Sequence, residues 1–147
     1  VSPDYDASPP WEDDGHGPVT DWTRRCKRAG EIILSTRGEN CRYYDFAGAV
    51  KKAREEGWGL TQESLTLLTT RLGREPTRGQ VCAEAAEQDF AHLKGWCEDC
   101  WEFVSIHVEV FDGEKKTSDL YVGRVGSDEW RLEAAAMIRG LTPGGGK

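Results

Sequence analysis

From residue 103 the chain alternates. Val104, Ile106, Val108 and Val110 fall on one side, and Ser105, His107 and Glu109 on the other. A period of two is that of a strand with one buried face. Asp112-Gly113 supplies a turn, and Leu120, Tyr121, Val122 and Val125 return the chain over 118–125 as a partner strand. A second hairpin is written earlier: Glu31–Ser35 and Cys41–Tyr44 flank Arg37-Gly38-Glu39-Asn40, where Gly38 and Asn40 tolerate positive φ.

Between the hairpins the period lengthens to that of a helix. Asp45 is placed to cap a helix whose Phe46, Ala49, Val50 and Ala53 share one face, and Gly57 to stop it. Thr61 opens a second helix, with Leu65, Leu68 and Leu72 on one side and Gly73 at its end. Thr77-x-x-Gln80 is a capping-box pattern, and Ala86, Phe90, Leu93 and Cys97 carry a third helix to about Trp96. Ser127 is placed to cap a last helix, with Asp128 and Glu129 at its positive end and Leu132, Ala135, Ala136 and Ile138 buried. The expectation is a single α+β domain over 21–141: two β-hairpins forming an antiparallel sheet, packed with about four helices.

The ends read differently. Residues 1–20 hold Pro3, Pro9, Pro10 and Pro18 among acidic residues, with Tyr5 and Trp11 as anchors. So little apolar surface does not offset the entropy of ordering, which predicts a flexible acidic Pro-rich arm. Residues 142–147 predict a disordered Gly-rich tail. The chain opens on Val1 rather than Met, which leaves its upstream start open, and its acidic start has no secretory-signal pattern. No apolar run approaches the ~18–20 residues that span a bilayer, so no membrane partner is expected.

Charge sharpens this picture. The net charge is −7, and residues 1–21 hold six of the 26 acids with no Lys or Arg. The rest of the chain is nearly neutral, which argues against a strong nucleic-acid footprint. Five cysteines, an odd number, point to reduced thiols in a cytosol.

Three blocks carry a resemblance. They are Arg42-Tyr43-Tyr44-Asp45-Phe46 with Ala53-Arg54-Glu55-Glu56-Gly57-Trp58-Gly59; Ala86 through Val110, centred on Gly95-Trp96-Cys97-x-Asp99-x-Trp101; and Val122-Gly123 to Gly126-Ser127 with the helix after it. Over residues 29–140 the chain resembles a family of small bacteriophage and prophage accessory proteins with no settled activity. The resemblance implies a phage product acting in the cytoplasm of the bacterial host, and it transfers no catalytic residue.

The candidate chemistry is sparse. His92-x4-Cys97-x2-Cys100, with Cys82 or Cys41 as a fourth ligand, is the one zinc-like set. It lacks the second Cys pair of a strong signal, so no metal ligand is assigned. As a redox pair, Cys97 and Cys100 follow a helix, where the dipole has the wrong sign to lower a thiol pKa. His16, His92 and His107 are dispersed, no G-x-S-x-G elbow occurs, and no catalytic residue or cofactor is assigned. Most of the six tryptophans are expected in the core. The reading reached is a non-enzymatic protein that binds a host or phage protein, such as an inhibitor of a bacterial defence system. Its candidate contacts are Glu98, Asp99 and Trp101 at the helix–strand junction and Asp112 and Glu114 in the hairpin turn. On one edge, these would meet a basic surface. The alternatives are a nucleic-acid-associated protein using Arg24, Arg25, Lys27 and Arg28 beside Trp22, and a virion component.

Overall fold

The computed structural model describes residues 1–141, and the Gly-rich tail expected over 142–147 lies outside the described residues. In chain order the elements are β1 (Ser2–Pro3), a 3-10 turn (Pro10–Glu12), β2 (Glu31–Arg37), β3 (Asn40–Asp45), α1 (Phe46–Glu56), α2 (Gln62–Leu72), α3 (Arg78–Cys97), β4 (Phe103–Asp112), β5 (Lys115–Gly126) and α4 (Trp130–Leu141). The class is α+β, with four helices and two hairpins. The hairpins lie in separate antiparallel sheets, β1-β4-β5 and β2-β3, rather than in one. The domain expected over 21–141 divides between Glu98 and Asp99 into two compact units. One is Pro9–Glu98, and the other joins Val1–Ser8 to the chain from Asp99 onward.

In Pro9–Glu98 the predicted caps form. Asp45 accepts from Gly48 N, and Thr77 and Gln80 make the reciprocal capping box. Gly57 (φ 73°) and Gly73 (φ 71°) end α1 and α2 in the left-handed region that favours glycine. The core gathers Leu34 and Tyr44 from the hairpin, Ala49 from α1 and Ala86 and Leu93 from α3. The small alanines let α1 lie close on α3. Trp11, Val19 and Phe90 pack around this centre.

The expected arm is shared between the two units and is tied down in both. Residues 18–23 run along β3: Thr20 N donates to Tyr43 O, Asp45 N to Pro18 O, and Thr23 and Cys41 exchange both backbone bonds. Pro10 is buried, and Trp11 stands edge-on to Trp96 at 5.3 Å. In the other unit β1 pairs with β4, Ser2 opposite Ser105 and Pro3 opposite Val104. Asp4 then accepts from Arg124 N at 2.8 Å, and the Arg124 guanidinium lies over Phe103 and donates to Ser8. Little apolar surface does not prevent this order, because strand pairing satisfies backbone groups whatever the side chain.

The alternation of β4 holds only in part. Phe103 through Ile106 are all buried, in the stretch where β1 covers the other edge. From His107 onward, exposed and half-buried residues alternate as expected. α4 also differs. Ser127 is engaged with Glu102, its N–H donating to Glu102 O and its Oγ accepting from Glu102 N, and the helix opens at Trp130. The inward stripe is Trp130, Ala134, Met137 and Leu141, spaced i, i+4, i+7, i+11. Leu132 (78% exposed) and Ile138 (51%) face solvent, because the stripe bearing Trp130 and Met137 buries larger side chains than the predicted one.

Gly17 is buried where a Cβ would stand 2.6 Å from Tyr44 Oη and 2.7 Å from Ala49 Cβ. Neither neighbour has room to retreat, since Tyr44 and Ala49 are fully buried. Gly17→Ala is expected to destabilise the protein by about 1–3 kcal/mol, the usual cost of overpacking, read as a lower urea midpoint.

Candidate functional site

Asp89 interrupts the buried stripe of α3, between Ala86 and Leu93. Its side chain is only 8% exposed. His16 Nδ1 donates to Oδ1 at 2.6 Å; Gly17 N and Tyr44 Oη donate to Oδ2 at 2.7 and 2.8 Å. Burial alone would push this carboxyl up. The three hydrogen bonds outweigh that effect and hold it below the ordinary aspartate range. Burial and Asp89 push the Tyr44 hydroxyl well above the usual phenol range. Lys52 Nζ donates to His16 O, and the His16 ring stacks on His92 at 6.1 Å. A carboxylate holding an imidazole is half of a base-catalysis arrangement. Here both oxygens are taken up by groups of the 16–17 segment and by Tyr44, so the arrangement anchors that segment. A hollow of about 340 Å³ beside it is lined by Gly15, Trp58, Ser64, Gln88, Asp89 and His92.

The basic segment is only partly available. Arg25 makes a two-pronged pair with Glu31, both bonds 2.7 Å, and Arg28 N donates to the same carboxylate. The Arg25 bonds pull Glu31 down to about 2 against the opposing effect of burial. Arg24 lies 3.7 Å from Glu39. Lys27 and Arg28 are exposed. Trp22 is half-buried, with the guanidinium of Arg42 at 4.6 Å and that of Arg37 at 5.0 Å from its ring. Arg42 also lies 4.9 Å from the Trp11 ring, and its Nε is buried without a hydrogen-bond partner.

The acidic candidates do not form one edge. Glu98 caps the C-terminal end of α3, 4.0 Å from Lys94. Asp99 takes a left-handed conformation (φ 59°), and Trp101 is half-buried, edge-on to Phe103 at 5.2 Å. Asp112 and Glu114 lie at the far tip of the β4–β5 turn. The whole of β4 separates that tip from Trp101, ~30 Å at ~3.3 Å per residue. One basic patch of ordinary size does not span both groups.

Sequence reasoning named only the tip of the β4–β5 ribbon, Asp112 and Glu114, and missed the cluster on its face. Glu109 stands opposite Asp119, and His107 opposite Tyr121. Two carboxylates facing each other repel. Lys116 answers them, with Nζ 3.1 Å from Asp119 and 3.7 Å from Glu109. Its hydrogen bond lowers the Asp119 carboxyl, and Asp119 in turn raises the lysine. His107, Glu109 and Asp119 are the one trio of metal-ligand side chains brought together among the described residues. The predicted signal was there: period-two spacing puts His107 and Glu109 on one face. Among the described residues no cysteine is in a disulfide, with Cys82 buried and Cys100 exposed. Among the described residues no helix is long and apolar enough to cross a membrane.

Both Asp89 and Glu31 have depressed folded-state pKa values, so the stability each contributes is present above its unfolded pKa, near 4. It is lost as pH falls through the folded value. Asp89→Asn is expected to be less stable at pH 7 and to lose less further stability below pH 4 than the parent chain, in urea unfolding from pH 7 to 2.5. A parallel slope in the two proteins would show that Asp89 does not titrate with folding. No family model, curated protein or solved structure matches the chain.

Proposed function

We propose that the chain is a non-enzymatic accessory protein of a bacteriophage or prophage. In this reading it acts in the bacterial cytoplasm by binding a host or phage protein, for example to blunt a defence system. The phage setting rests on the sequence blocks. The binding reading rests on the β4–β5 ribbon. β5 is the outer strand of its sheet, and among the described residues β4 is its one strand neighbour. Phe111 (53% exposed), Leu120 (42%) and Tyr121 (65%) stand in solvent on the same ribbon. An open strand edge beside exposed aromatics is the surface to which proteins add a partner's strand or anchor a partner's side chains. Lys115 and Lys116 guard the tip, as edge lysines do. The stretch from Leu120 to Val122 has no such charge.

The test is affinity purification of the tagged chain from infected bacteria, alongside the Phe111→Ser, Tyr121→Ser double variant. Both positions are exposed, so the circular dichroism of the variant should match the parent. The expected outcome is one protein recovered near stoichiometry with the parent chain and lost with the variant. A partner retained by the variant would count against the ribbon. Nucleic acid released by salt would favour Arg24, Arg25, Lys27 and Arg28, and capsid protein would favour a virion component.

A further inference from the structure

We propose that His107, Glu109 and Asp119 form a binding site for one divalent transition-metal ion of the zinc type. The claim stands apart from the partner reading, since it needs only this chain. His107 Nε2 lies 3.6 Å from Glu109 Oε1 and 3.6 Å from Asp119 Oδ2. The three ligand atoms all fall within 4.8 Å of one another. Around a tetrahedral zinc ion with bonds of ~2.0–2.1 Å, ligand atoms sit ~3.3 Å apart. The two imidazole–carboxylate distances are therefore within a few tenths of an ångström of a first coordination shell. The carboxylates have only to turn toward each other.

The sheet register makes this a built arrangement. Glu109 and Asp119 are direct cross-strand partners, and His107 is two residues from Glu109 on the same face. Backbone pairing thus fixes the spacing of all three ligands before any ion arrives. The donor set also selects the ion. One imidazole nitrogen with two carboxylate oxygens suits zinc, cobalt or nickel, whereas magnesium and calcium take oxygen ligands throughout. Three protein ligands leave at least one position for water.

Lys116 is the competing cation. Its Nζ touches the same two oxygens that face His107. The lysine is exposed and flexible, so an ion can replace it by letting the side chain swing into solvent. The site is accordingly weaker than a closed structural zinc site, and its strength depends on residue 116.

The experiment titrates zinc chloride alone into the metal-stripped full chain and follows the His107 ring and the backbone of residues 107–121 by NMR. Cysteine thiolates are zinc ligands in general, so the readout must be local. The expected result is a saturable shift of the His107 ring and its strand neighbours, with no response to magnesium. His107→Ala should weaken zinc binding at the ribbon by ~10-fold or more. Lys116→Gln should tighten it by about 2- to 5-fold, the effect of removing a competing exposed ion pair. Ribbon signals unmoved at millimolar zinc would overturn the proposal. So would zinc affinity that His107→Ala leaves unchanged, with only cysteine resonances responding.

Discussion

The carboxylate of Asp89 lies in the buried stripe of α3, where an aliphatic side chain would be expected, and the residues of Pro9–Glu98 are arranged around satisfying it. A charge removed from water is stable only if its lone pairs are answered. Tyr44 answers from β3, and Gly17 and His16 answer from the chain ahead of the first hairpin. Each of these groups is committed in turn. Tyr44 is fully buried in the core, Gly17 has no room for a Cβ, and the His16 carbonyl accepts from Lys52 on α1. One carboxylate thereby fixes the relation of α3, β3, α1 and the 16–17 segment. Removing it takes an acceptor from three donors at once, His16 Nδ1, Gly17 N and Tyr44 Oη, so the expected effect exceeds that of one hydrogen bond.

The two hairpins show what cover does to a strand pair. β2–β3 has residues 18–23 along one edge and helices against it, so Leu34, Tyr43 and Tyr44 are buried. Among the described residues β4 has a neighbour on its second edge only at Ser2, Pro3 and Asp4, and its buried residues stop at Ile106. Beyond that point the ribbon holds together by its own cross-strand pairs. The facing carboxylates of Glu109 and Asp119 would weaken it without Lys116 between them. The same poverty of cover leaves Phe111, Leu120 and Tyr121 exposed, and it leaves His107, Glu109 and Asp119 open to an ion.

The elements were legible because their signals are local. Asp45, Thr77 with Gln80, Gly57 and Gly73 each act within a few residues, and each forms the cap expected of it. What was not legible depends on partners far along the chain. The 1–20 segment reads as flexible because its bonds run to Tyr43, Asp89, Phe103 and Arg124. Ser127 reads as a helix cap, yet its hydroxyl meets Glu102, 25 residues earlier. Glu98 to Trp101 and Asp112 to Glu114 read as one acidic group because a sequence does not show that a ten-residue strand holds its ends apart. One distant feature did leave a trace. Asp89 falls on the helical stripe of Cys82, Ala86 and Leu93, and an acid on an apolar stripe demands a partner.

Charge accounting narrows where a partner can be met. Of the four basic residues beside Trp22, Arg25 is bound to Glu31 and Arg24 lies against Glu39. Lys27 and Arg28 remain, in a chain of net charge −7. Two lysine-like charges release few counterions, so phosphate binding there would be weak and readily screened. The ribbon is different, because Lys116 already balances Glu109 and Asp119, and burying Phe111, Leu120 and Tyr121 against another chain would not require an excess of positive charge. An open strand edge supplies directional backbone bonds, and Phe111 and Tyr121 supply area; together these are what a partner of either charge can use.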